Sequence, residues 1–197
     1  MTQMFLKGLK GKIHITGPFE KKKERNIEFI NGRRHETLID AESYFTYRNK
    51  SIVDFKNIFA VMRSPYDAEV SRYAYLRNGY AIDKGPAQRI AMEGNFKEYL
   101  RTAPYFGQFP PRLDRYFNIF GIVPANLVIL KYERLDSEIE LHLKPILREV
   151  ILGKENPSNR LSCEEMYDQE CEELCYMRHS WFFDNGYYSR GKFNSGM

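Results

Sequence analysis

Arg63 and Ser71 are the residues whose types and spacing first suggest chemistry. An arginine offers a planar fork of N–H donors suited to phosphate oxygens, and a serine adds a hydroxyl donor. Arg63 follows the apolar run Ile58-Phe59-Ala60-Val61-Met62, and Ser64-Pro65 then carries the signature of a helix start. The unsatisfied N–H groups and partial positive charge of such an end also favour an anion. One reading is a phosphate site. The other pairs Arg63 with Asp67 or Glu69 and leaves Ser71 on the surface. His35 is the second candidate, because an imidazole titrating near pH ~6.5 can accept a proton at neutral pH. Its neighbours Arg34 and Glu36 equally suit an exposed polar position. His14 and His142 lack such context. Cys163, Cys171, Cys175 and His179 recur at multiples of four on one helical stretch. Zinc sites usually draw ligand pairs from two elements, and no second pair exists here. Buried core thiols are therefore expected, with no metal. Arg190 and Lys192 near the C-terminus are weaker candidates for touching an anion.

These residues need elements to hold them. Ile58–Met62 is an apolar run of buried-strand length, and the segment from Pro65 to about Arg77 repeats Tyr66, Val70, Tyr73 and Ala74 at helical spacing. Asn126–Tyr132 is the second strong strand. Shorter strand-like pieces occur at Lys12–Thr16 and Ile27–Ile30, the latter leading into a turn at Asn31-Gly32. Helices are expected over Ala87–Arg101, from Pro111 to Gly121 with Leu113, Tyr116, Phe117 and Phe120 inward, over Leu135–Leu152 with a bend at Pro145, and from Ser162 to about Phe183. Strands alternating with helices, two of them nearly uninterrupted apolar runs, argue an α/β sheet covered on both faces. In such sheets ligands sit beyond the carboxyl ends of the strands. That rule selects Arg63 and Ser64 at one strand and Tyr132, Glu133 and Arg134 at the other.

The chain has 197 residues, 43% hydrophobic and 28% charged, an ordinary globular balance. A net charge of +4 suits small anionic ligands but is too weak to argue for nucleic acid. No apolar run approaches the roughly 20 residues of a membrane helix. With three cysteines no disulfide framework is indicated, so a cytoplasmic protein without membrane contact is expected.

The stretch KNIFAVMRSPYDAEVSRYAYLR resembles the 3′-phosphate-binding segment of sulfotransferases that use 3′-phosphoadenosine 5′-phosphosulfate (PAPS). The shared pattern is an apolar strand, Arg-x-Pro-x-Asp, a serine and an aromatic, here Arg63, Pro65, Asp67, Ser71 and Tyr73. Other segments resemble the family in the same order. They are RRHETLIDAESYF, the strand ending in Tyr132-Glu133-Arg134-Leu135, and the terminal helix running into Asp184, Gly186 and Tyr187. The resemblance implies a sulfotransferase-like P-loop-type α/β fold with a short central parallel sheet flanked by helices. It also implies sulfuryl transfer from PAPS to a hydroxyl or amine acceptor, with 3′-phosphoadenosine 5′-phosphate as product. Arg63 and Ser71 would hold the 3′-phosphate and His35 would be the general base. The corresponding organisation is a divergent or truncated segment over 1–25, the sulfotransferase-like domain over 26–188 and a flexible tail over 189–197.

One departure stands out. The family's Pro-Lys-x-Gly-Thr-Thr/Ser loop for the 5′-phosphosulfate has no counterpart, the nearest text being Lys7-Gly8-Leu9-Lys10-Gly11-Lys12. A catalytically inactive nucleotide-binding protein of the same fold, or a fragment completed by a missing N-terminal piece, are the alternatives. A nucleotide kinase-like protein would need a complete Gly-x-x-x-x-Gly-Lys-Ser/Thr loop, which is absent.

Overall fold

Apolar runs too short for helices form strands here, and the longer amphipathic segments form helices, giving a mixed α/β chain. The computed structural model describes residues 13–16, 27–30, 37–78, 85–105, 108–145 and 160–193. Contacts gather the chain into two compact units, each built from two stretches of sequence: 1–62 with 115–154, and 63–114 with 155–197. The span expected as one domain, 26–188, thus contains parts of both.

The first unit carries the strands. β1 (Ile13–Thr16) and β2 (Ile27–Ile30) pair in parallel, as do β3 (Ile58–Met62) and β4 (Leu127–Lys131). Among the described residues the strands form two two-stranded parallel pairs. Alternation along β3 and β4 sends successive side chains to opposite faces. On one face Ile58 and its partner Leu127 pack with Leu38, Ala41 and Phe45 of α1 (Leu38–Thr46). On the other, Phe59, Val128 and Leu130 pack with Leu135 and Ile139 of the later helix α5 (Leu135–His142). Helices thus cover both faces, although most strand residues are only half-buried. Leu130 is the fully buried exception in β4, which is worth about 1.5–3 kcal/mol of hydrophobic stabilisation. Asn126 ties the start of β4 to the loop before β3, its amide donating to the carbonyls of Ile52 (3.0 Å) and Phe55 (2.7 Å). Helix α1 was not foreseen as a helix. Thr37 and Asp40 close a capping box at its start, satisfying backbone donors that would otherwise be orphaned.

The second unit is helical among the described residues: α2 (Pro65–Arg77), α3 (Pro86–Glu93), α4 (Phe96–Thr102), α6 (Cys163–Met166) and α7 (Gln169–Asp184). Tyr66, Val70 and Tyr73 of α2 face inward as their spacing predicts, while Ala74 is half-buried. The helix expected over Ala87–Arg101 is two helices. Gly94 separates them, and a Cβ there would lie 2.9 Å from the Ile90 carbonyl oxygen, so only glycine fits this close turn. Asn95 then caps α4 by accepting from the Glu98 N–H. The last helix is likewise divided. Ser162 caps α6 as expected, the chain leaves helical geometry at Tyr167, and Asp168 caps α7.

Two other expectations need correction. Between Pro111 and Gly121 only Leu113–Tyr116 forms a 3-10 turn. Phe120, expected inward, is 85% exposed. It shares a tight reversal with Gly121, both at positive φ (50° and 87°), bracketed by mutual hydrogen bonds between Ile119 and Ile122. The helix from Leu135 ends at His142, and residues 146–152 lie outside the described residues. Among the described residues no helix is long and apolar enough to cross a membrane.

Candidate functional site

Arg63 precedes α2 by one residue, Ser64, which stands at the N-cap with Pro65 at the first helical position. From there a stripe along one side of the helix brings Asp67 and Ser71 to the arginine. Arg63 Nε donates to Asp67 Oδ2, and Nη1 donates to Ser71 Oγ at 3.3 Å. The two expected phosphate ligands are therefore brought together. The pairing of Arg63 with Asp67, foreseen as the competing reading, is present at the same time. Ser64 occupies the cap position without a side-chain capping bond.

A fourth residue joins them. Arg160 Nη2 donates to Asp67 Oδ1, and its Nη1 donates to the Asp67 carbonyl oxygen at 3.4 Å. Two guanidinium groups thus grip opposite oxygens of one carboxylate. The side chains of Arg63, Asp67 and Arg160 are 28%, 23% and 19% exposed, so a solute can reach them. Asp67 thus lies between two guanidinium groups. Arg160 carried no signal in the sequence. It lies in no motif, and its partner is 93 positions away.

A second polar cluster lies deeper in the same unit. Glu69 accepts from Tyr99 Oη (2.7 Å), from Arg178 Nε (3.1 Å) and from His179 Nε2 (2.6 Å). A carboxylate only accepts, so the imidazole must carry its proton on Nε2. Arg178 also donates to the carbonyls of Leu100 and Ala103, and Arg72 donates to Tyr99 Oη and the Pro104 carbonyl. Burial alone would raise the Glu69 carboxyl, but Arg178, His179 and Arg72 outweigh it and hold the group well below the usual carboxylate range. Tyr99 is pushed up by burial and by the Glu69 charge, so it remains a hydroxyl donor. Glu69 and His179 are each about 1% exposed in their side chains. This cluster fastens α2, α4 and α7 together and is closed to a solute of any size.

The remaining candidates divide clearly. His35, expected as the general base, lies outside the described residues, as do Lys7–Lys12 and Tyr80. Cys163, Cys171 and Cys175 are buried thiols. Burial pushes Cys163 and Cys171 up to about 11, while the imidazole of His179 turns to Glu69. Tyr132–Arg134 forms a 3-10 turn, and Arg134 pairs with Glu138 at 2.6 Å. Residues 189–193, the described part of the expected tail, make contacts with α2 and α7. Arg190 donates to Glu172 and Glu173, the Gly191 N–H donates to Tyr66 Oη at 3.1 Å, and the Phe193 ring packs on Tyr66 and Tyr167. Arg190, 45% exposed, is shared between two carboxylates, whereas Arg63 and Arg160 share the single carboxylate of Asp67.

No protein-family model, curated protein or solved structure matches the chain.

Proposed function

We propose that this chain binds the 3′-phosphate of PAPS through Arg63 and Ser71 and transfers its sulfuryl group to a hydroxyl or amine acceptor. The observation that supports the reading is the meeting of Arg63 and Ser71 at 3.3 Å beside the N-terminal turn of α2. Guanidinium donors, a hydroxyl and partial exposure are what a phosphate monoester requires. Charge-assisted hydrogen bonds of this kind contribute about 1.5–3 kcal/mol each.

In the transfer, the acceptor oxygen or nitrogen attacks sulfur as the bond between sulfur and the 5′-phosphate oxygen breaks. The departing group is 3′-phosphoadenosine 5′-phosphate. The acceptor proton passes to a base, and His35 fills that role in this reading. Arg63 and Ser71 hold the nucleotide by its far phosphate, so their contribution is to binding and alignment. The fold behind the reading is a sulfotransferase-like P-loop-type arrangement in a cytoplasmic protein, with no metal, nucleic acid or membrane involved.

A second reading, nucleotide binding without transfer, is favoured by the absence of a Pro-Lys-x-Gly-Thr sequence among the 197 residues. Losing such a charge-stabilising loop can cost on the order of 10²–10³ in rate. Incubation with sulfur-labelled PAPS and a panel of phenols, sugars and amines separates the two. Labelled acceptor that disappears with His35→Ala supports transfer. Retention of 3′-phosphoadenosine 5′-phosphate with no labelled acceptor supports binding alone.

A further inference from the structure

We propose that the amino-terminal edge of the β3–β4 pair docks on an anionic membrane surface, with Phe120 and Ile122 entering the lipid interface and Arg48, Lys50 and Lys56 meeting the headgroups. The inference goes beyond the transfer reading and does not rest on it, and the transfer chemistry itself uses no lipid. It departs from the expectation of no membrane contact. That expectation followed from the lack of a spanning apolar run, and a loop tip enters an interface without one.

Two loops meet at this edge, where Ile58 pairs with Leu127. The Asn126 amide donates to the carbonyls of Ile52 and Phe55, and the Ile58 N–H donates to the Asn126 carbonyl at 2.9 Å. Ile119 packs on the cluster of Leu38, Ala41, Phe45 and Ile52. Residues 47–56 and 118–126 are thereby brought side by side. Among the described residues the three most exposed large apolar side chains all lie here: Tyr47 (88%), Phe120 (85%) and Ile122 (73%), with Val53 at 65%. One exposed apolar residue is ordinary, whereas several gathered on one edge mark a contact surface.

Phe120 is also ill suited to its backbone. Its φ of 50° lies in the left-handed region, which asparagine or glycine adopts readily and a bulky aromatic rarely does. A phenylalanine there costs conformational energy and gains almost no burial within the chain. An aromatic ring at a water–lipid boundary gains that burial outside the fold.

Charge selects the occupant. Residues 116–130 include no charged side chain, whereas residues 47–56 hold exposed Arg48, Lys50 and Lys56 against exposed Asp54. Half-buried Glu42 accepts from the Ser51 hydroxyl and the Ile52 N–H. A second copy brought edge to edge would set these cations against their own kind. An anionic leaflet offers the opposite charge beside an apolar interior.

The test is co-sedimentation of the full chain with vesicles of equal parts phosphatidylserine and phosphatidylcholine, and with vesicles of phosphatidylcholine alone. Wild type, Phe120→Asn, the double variant Lys50→Gln with Lys56→Gln, and Met177→Gln are compared, each checked by thermal unfolding. Asparagine suits the turn, so Phe120→Asn should be at least as stable as wild type. Its binding to anionic vesicles should fall by at least about tenfold, as loss of one large buried apolar side chain requires. The double variant should lose about fivefold for each cation, and added salt should weaken the wild type. Met177→Gln, which removes an exposed apolar residue of the other unit, should bind like wild type. Wild type that binds neither vesicle or both equally overturns the proposal. A folded Phe120→Asn that binds like wild type, or a Met177→Gln that weakens binding as much, overturns it too. So does a wild-type dimer in sedimentation velocity that Phe120→Asn dissociates, because the edge is then an interface between copies.

Discussion

Glu69 and His179, 110 positions apart, share a 2.6 Å hydrogen bond with both side chains about 1% exposed. The bond joins α2 to α7, and it falls where α7 itself leaves helical geometry, at φ −133° and ψ 26° for His179. Arg178, the preceding residue, reaches the same carboxylate at 3.1 Å. One buried anion therefore organises two consecutive cationic or proton-bearing side chains of the last helix.

Removing that anion should be costly. Glu69→Gln keeps the shape but leaves Arg178 buried without its counter-charge, a change worth about 3–5 kcal/mol. Urea unfolding should show an unfolding free energy reduced by that amount, and an effect below about 1 kcal/mol would mean the cluster is not what fastens the helices.

The same carboxylate sets an acid limb. Arg178, His179 and Arg72 outweigh burial and depress its folded-state pKa below the unfolded value of about 4.3. In that window the unfolded chain binds more protons than the folded one. The stabilisation is complete above the unfolded value and is lost as pH falls toward the depressed folded value. Wild type should thus lose stability steeply below about pH 4.3, and Glu69→Gln should show a shallower slope. Parallel slopes for the two proteins would count against this account.

The three thiols should be inert in the folded protein. Burial pushes Cys163 and Cys171 up to about 11 and raises Cys175 well above the ordinary thiol range. Little thiolate exists at pH 8, and thiolate is the reactive form. A chromogenic disulfide reagent at pH 8 should label none of them over minutes and all three in denaturant. Rapid native labelling of one cysteine would show a local opening at that helix.

Tyr66 anchors the end of the chain. Its hydroxyl donates to Glu172 at 2.8 Å and accepts from the Gly191 N–H. Tyr66→Phe should cost roughly 1 kcal/mol and speed exchange of the Gly191 amide, with the exchange of amides within α4 unchanged. Unaltered exchange at Gly191 would show that Phe193 packing alone holds the segment.

Local signals were read well where the answer is local. The apolar run Ile58–Met62 is a strand with those same limits, and Asn126–Tyr132 contains β4. Arg63 and Ser71 meet because helical periodicity alone brings positions two turns apart to one side. Breaks within helices were missed at Gly94 and Tyr167. Close backbone contact at Gly94 decides the first, and no glycine or proline marks the second. Glu69 and Arg160 were not legible. Each finds its decisive partner 93 or more positions away, and no pattern in a single sequence encodes such a pairing.

The measurement closest to the central claim is calorimetric titration of wild type and Arg63→Ala with 3′-phosphoadenosine 5′-phosphate. The account predicts saturable binding by the wild type and at least about tenfold weaker binding by the variant, as loss of charge-assisted phosphate bonds requires. Equal binding by the two proteins, or none by the wild type, would contradict it.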